Sequence, residues 1–140
     1  MQIQLRAPQD RELLPSLFAA IDEALTRAGV DRALADDVRL VSEEIVCNAI
    51  DHGCPPGNAH EVTVDIAISH DRIALCFRDD GIAFDPLSQP PPDLDADISV
   101  RNIGGLGIHL IRTLADDISY RRESHHNVLR VALLRAKPKD

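Results

Sequence analysis

The sequence predicts a two-layer α/β sandwich, an α+β arrangement with helices on one face of a mixed, mostly antiparallel sheet. Three observations predict it. Hydropathy alternates with period two in some short stretches and with period 3.6 in others. Those stretches run in the order β-α-α-β-β-loop-α-β-β, so helices and strands are partly segregated along the chain. The 140 residues are one domain's worth, and 44% of them are hydrophobic with only 3% aromatic, so a single aliphatic core is expected.

Ile3 and Leu5 alternate with Gln2, Gln4 and Arg6, which makes a first strand. Asp10 begins a helical stretch carrying Leu13, Leu14, Leu17, Phe18, Ile21 and Leu25. Pro15 falls in its first turns, where proline is tolerated, and Gly29 ends it. Asp31 caps a longer helix whose buried stripe is Leu34, Val38, Val41 and Ile45. It runs to about His52, where Gly53-Cys54-Pro55-Pro56-Gly57 stops it.

Val62, Val64, Ile66 and Ile68 alternate with Thr63, Asp65, Ala67 and Ser69. A turn at His70-Asp71 leads into the second arm of a hairpin, with Ile73, Leu75 and Phe77. The segment from Gly81 to Ile103 holds Pro86, Pro90, Pro91 and Pro92 and reads as a long irregular loop, either a functional lid or disordered. Gly107 opens a short helix over Ile108 to Ala115, and strands from about Ile118 to Arg122 and from Asn127 to Leu134 complete the domain. His125-His126 falls in the turn between those last two strands.

The formal net charge of −8 argues against a direct nucleic-acid partner, because such a surface repels phosphates. Cys47, Cys54 and Cys76 lack CxxC spacing and read as free thiols in a reducing compartment. No apolar run approaches the ~20 residues of a membrane-spanning helix. The start of the chain, MQIQLRAPQD, has no signal-peptide pattern. A cytoplasmic protein without a membrane partner is expected.

Three constellations carry chemistry. Glu44 and Asn48 are i and i+4 and project from one helical face, beside the apolar stripe. A carboxylate and a carboxamide there read either as a solvated helix edge or as a base and a hard-oxygen ligand for Mg²⁺. Asp79 in Asp79-Asp80-Gly81 has the parity of Ile73, Leu75 and Phe77, so it points to the core side of its strand. It reads either as part of a plain turn or as an acceptor for an exocyclic amine such as that of adenine. Gly104-Gly105-Leu106-Gly107 precedes a helix, where backbone N–H groups and the helix dipole favour a phosphate. It lacks the Lys and Ser/Thr of a P-loop.

Together, a helical E-x-x-x-N, a hairpin ending D-x-G-x-x-F, a lid and a G-x-G that opens a helix resemble the nucleotide site of the GHKL ATPases, with their Bergerat fold. Ser42 to His52, Gly104 to Ile111 and Leu114-Ala115-Asp116-Asp117 resemble the anti-sigma factor serine/threonine kinases of the RsbW type. The resemblance covers nearly all of residues 1–140 as one ATPase domain with an ATP lid at 81–103. It implies Glu44 as general base and Asn48 as ligand for Mg²⁺ and ATP. It implies Asp79 as acceptor from the adenine amino group, with Gly81 making room for the base and Phe84 beside it. It assigns the phosphates to Gly104, Gly105, Leu106, Gly107 and Ile108, and offers Arg101, the one cation of the lid, to the γ-phosphate.

Two places differ from the usual family pattern. Ala83 stands where Gly or Pro often precedes the Phe, and Asn127-Val128-Leu129-Arg130 stands where a Gly-Thr element is common. The resemblance implies a kinase that phosphorylates a STAS-domain anti-anti-sigma protein and also binds a sigma factor. It implies a homodimer through the first strand and first helix. The alternatives are a non-catalytic ATP-gated binding module and a detached relative of the histidine-kinase catalytic domain. His52 is either a group near the magnesium or a helix-end hydrogen-bonding residue.

Overall fold

Each predicted stretch forms its element in the computed structural model, which describes residues 1–7, 11–53, 61–88 and 103–135. Strand β1 is Gln2–Ala7, with Ile3 and Leu5 turned inward. A 3-10 turn at Arg11–Leu13 leads into helix α1, Leu14–Arg27, which carries Pro15 in its first turn and buries Leu14, Leu17, Phe18, Ile21 and Leu25. Gly29 has φ +73° and releases the chain from that helix at a conformation glycine adopts without strain. Helix α2 is Arg32–Gly53, and Asp31 accepts its first helical bond from the N–H of Ala35 at 2.8 Å. The stripe Leu34, Val38, Val41 and Ile45 is buried as its spacing requires.

Strands β2 (Val62–Ile68) and β3 (Arg72–Asp79) form the expected hairpin. Helix α3 is Ile103–Leu114, and β4 (Asp117–Glu123) and β5 (His126–Leu134) form a second hairpin. Its turn places Ser124 at φ 44° and His125 at φ 69°, the left-handed pair that a twisted two-residue hairpin needs. Of the His125-His126 pair expected in this turn, His125 lies in it and His126 opens β5. No helix among the described residues is long and apolar enough to cross a membrane.

The sheet order is β1-β2-β3-β5-β4, and every neighbouring pair is antiparallel. The mixed, mostly antiparallel sheet of the sequence reading thus resolves as antiparallel. Register places Val64 opposite Phe77 and Ile66 opposite Leu75, then Leu75 opposite Val131 and Phe77 opposite Leu129. All of these are buried, and the helices cover this face. The other face opens on a shallow groove that includes Asp65, Cys76, Arg78 and Arg130.

Two boundaries differ. Leu13, expected on the apolar stripe of the first helix, falls in the 3-10 turn before α1 and is exposed. Helix α3 begins at Ile103, so the glycine segment lies inside its first turns rather than before it. Glycine lowers helix propensity by about 1 kcal/mol, but packing of Ile108 and Ile111 and contact with α2 outweigh that preference.

Candidate nucleotide site

A narrow cleft, with about 40 Å³ of accessible space, opens where the end of α2 meets the ends of β3 and β5. Asn48, Asp79, Phe84, Tyr120 and Asn127 line it, over an apolar floor that includes Val62, Ile111 and Leu129. Asn48 reaches the cleft because α2 turns its core stripe toward the sheet and carries Asn48 beside Ile45. Its carboxamide is half-buried and makes no hydrogen bond among the described residues.

Asp79 is the last residue of β3 and shares the inward face of Ile73, Leu75 and Phe77. Its Oδ1 accepts the Gly81 N–H at 3.0 Å and the Asn127 Nδ2 at 2.9 Å. The neighbouring Asp80 does something else. Its Oδ1 accepts the Glu61 N–H at 2.8 Å, and its own N–H reaches Glu61 O at 3.3 Å, which clamps the entry to β2. Adjacent carboxylates on opposite faces of one strand end therefore serve separate purposes.

Asn127 is 5% exposed and sits opposite Asp79 in the β3–β5 register. Its Nδ2 also donates to Ile82 O at 2.7 Å. Its Oδ1 accepts from the Phe84 N–H at 3.2 Å, from Arg122 Nη1 at 3.1 Å and from the Tyr120 hydroxyl. Arg122 Nη1 also donates to Gly81 O at 2.8 Å. Burial pushes the Tyr120 phenol above its ordinary pKa, with Arg122 acting in the opposite sense. These bonds fold the Gly81–Phe84 turn onto the strand ends.

The first part of the predicted lid continues from that turn. Asp85 Oδ1 accepts the Leu87 N–H at 2.8 Å, and a 3-10 turn follows at Pro86–Ser88. Pro86 is buried at the cleft wall, and Arg112 of α3 donates to Leu87 O. The rest of the lid, with Arg101, lies outside the described residues, as do Asp10 and Cys54.

Glu44 stands one turn before Asn48, half-buried and without a partner among the described residues. Loss of water raises its pKa above the ordinary carboxylate value, and the neighbouring Glu43 adds to the rise. Its carboxyl lies against Gly107 of α3. A Cβ built on Gly107 would overlap Glu44 Oε2 and lie 3.1 Å from Cδ. The absence of a side chain at 107 is what lets α3 approach so closely.

The N–H groups of Ile103, Gly104 and Gly105, in the first turn of α3, have no partner inside the helix. Ile108 is 5% exposed and packs inward, and its N–H belongs to the helical ladder. The side chain of His52 is outside the described residues.

The structure thus joins Asn48, Asp79 and Phe84 in one cleft, bonds Gly81 to Asp79, and brings Glu44 against Gly107. Asn127, Tyr120 and Arg122 join the site without any motif that marks them in the sequence. One signal was available for Asn127: it has the parity of Leu129, Val131 and Leu133, so it is a polar group on the core side of its strand.

Comparison with known proteins places this geometry in context. The family model described as a histidine kinase-like ATPase domain matches residues 7–133. The chain is similar to the serine-protein kinase RsbW of Listeria monocytogenes, 28% identical over 121 residues that cover 84% of this chain and 77% of that protein. It is equally similar to the serine-protein kinase RsbW of Staphylococcus aureus, 28% identical over 127 residues, covering 87% of this chain and 80% of that protein. Among solved structures it resembles the histidine kinase domain of the Erythrobacter litoralis EL346 blue-light activated histidine kinase, with TM-score 0.54 and 14% identity. That match covers 86% of this chain and 60% of the other, so the chain spans less than two thirds of it. A second structure of the same kinase matches at TM-score 0.57 and is covered to 41%. At this identity the likeness shows a shared fold.

Proposed function

The chain belongs to the histidine kinase-like ATPase domain family, and from that premise we propose that it is an ATP-dependent serine/threonine-protein kinase of the anti-sigma type. Its substrate is a Ser or Thr hydroxyl on a STAS-domain anti-anti-sigma protein, and a sigma factor is the competing partner. The names of the Listeria and Staphylococcus relatives support this reading over that of a histidine-directed kinase.

The observation that carries it is the Glu44 carboxylate. It is half-buried, has no partner among the described residues, has a raised pKa, and lies at the junction of α2 with the N-terminal turns of α3. A carboxylate in that state is a better proton acceptor than one in water. In the proposed reaction Glu44 takes the proton of the incoming hydroxyl. That oxygen forms a bond to the γ-phosphorus as the bond to the ADP oxygen breaks.

The other residues position the nucleotide. Asp79 accepts from the adenine amine, Gly81 leaves room for the base, and Phe84 lies beside it. The N–H groups of Gly104 and Gly105, with Leu106, Gly107 and Ile108 behind them, hold the phosphates. Arg101 is the lid's cation for the γ-phosphate. The donor set also fits a magnesium ion. Asn48 offers an unpartnered hard oxygen at the cleft, and Mg²⁺ takes few protein ligands, with phosphates and water as the rest. Held there, it would neutralise charge on the triphosphate. The proposed homodimer finds support in the place of β1 at the sheet edge, where one side of its backbone pairs with no other strand among the described residues.

The test is transfer of labelled phosphate from ATP, with Mg²⁺, to a candidate antagonist. Glu44→Gln should lower transfer by roughly 10²–10⁴-fold while ATP still binds. Unchanged transfer in that variant would remove Glu44 from its role. A partner captured with ATP by both proteins and phosphorylated by neither would identify a non-catalytic, ATP-gated module.

A further inference from the structure

We propose that Asn127 is a positioning residue that makes the cleft select a purine bearing an exocyclic amine, by holding the Asp79 carboxylate as a fixed acceptor; this rests on the adenine-binding reading above. A carboxamide has two N–H donors and one carbonyl oxygen. At Asn127 all are used. Nδ2 donates to Asp79 Oδ1 at 2.9 Å and to Ile82 O at 2.7 Å. Oδ1 accepts from the Phe84 N–H at 3.2 Å, from Arg122 Nη1 at 3.1 Å and from the Tyr120 hydroxyl. Turning the amide over would set its N–H groups against two other N–H donors and its oxygen against two oxygens. The network therefore admits one orientation.

That orientation decides what Asp79 offers a ligand. Oδ1 is occupied by the Gly81 N–H and by Asn127. Oδ2 has no partner among the described residues, and Asp79 lines the cleft. A carboxylate pinned through one oxygen presents the other in a set direction, as an acceptor only. It rewards an amine on the base and penalises a carbonyl or a bare C–H there, because the carboxylate is then left unpaired. A threonine, with one hydroxyl, cannot reach Asp79 and Ile82 O together while accepting three bonds. Asn127 ties base selection to the shape of the Gly81–Phe84 turn.

The measurement is calorimetric titration of the whole chain with ATP and with purine riboside triphosphate, which lacks the 6-amino group. The wild-type protein should prefer ATP by roughly 10–100-fold. Asn127→Asp keeps the size and loses both N–H donors, so the preference should fall below about threefold in protein that circular dichroism shows to be folded. If Asn127→Asp does not fold, Asn127→Ser takes its place, since its hydroxyl is too short to reach Asp79, and the same loss is expected. A merely structural role would weaken both nucleotides alike and leave the ratio intact. Preference retained in the folded variant overturns the role of Asn127 alone. A wild-type protein that binds both equally, or neither, overturns the adenine reading as well.

Discussion

At one end of the β3–β5 pair Ile73 stands opposite Leu133, and both are fully buried among aliphatic neighbours. At the other end Asp79 stands opposite Asn127 on the same face of the same two strands. Backbone pairing, pleat and covering layer are shared, so the difference lies in what the side chains do. The apolar end stabilises the fold by removing hydrocarbon from water, at about 25 cal/mol per Å². The polar end gains little net stability, because each neutral hydrogen bond is worth about 1 kcal/mol after desolvation. What it gains is direction: a carboxylate, a carboxamide and a turn held in one arrangement at the cleft.

The largest effect expected from breaking this contrast is at the apolar end. Leu133→Ala should cost about 2–5 kcal/mol in urea unfolding. Affinity for ATP in the folded fraction should stay within roughly twofold, since distant sites act independently. A collapse of affinity at full folding would show that the two ends are not separable.

Gly107→Ala sharpens the contrast from the cleft side. The added methyl meets the end of a flexible Glu44 side chain, so the melting temperature should barely move. Glu44 must shift, however, and phosphoryl transfer should fall roughly tenfold because general-base geometry is lost. Unchanged transfer would separate Gly107 from the chemistry.

The smallest effect is a pH-dependent one. The folded-state pKa of Glu44 lies above its ordinary value of 4.5, through burial first and Glu43 second. Its contribution to stability is therefore fully present below that ordinary value and is lost as pH rises through the folded one. Glu44→Gln suffers no such loss. Its melting temperature should exceed that of the wild type by roughly 1–3 °C at neutral pH, with the gap closing as pH falls toward 4.5. A gap that widens in acid would reverse the sign and contradict the raised pKa.

Much of this architecture was legible beforehand. Period-two alternation marked β2, β3 and β5, and the spacing of Leu34, Val38, Val41 and Ile45 marked the buried side of α2. Those patterns are local, and burial acts on them directly. Parity also put Asp79 on the inward face, where it is found. The start of α3 is not legible in the sequence, because glycine reads as punctuation, whereas contact with α2 extends the helix back to Ile103.

The sequence by itself determined which residues can be inward and which types of group stand at the ends of α2 and β3. Helical and strand periods depend only on backbone geometry, so Glu44 with Asn48, and Asp79 with Phe77, share faces whatever else the chain does. Only the tertiary structure decided what meets them. Asn127 reaches Asp79 because antiparallel register brings together residues far apart in the chain, and Gly107 reaches Glu44 because two helices pack at a spot without a side chain. Such contacts follow from the register and packing of whole elements, and no local hydropathy pattern encodes them.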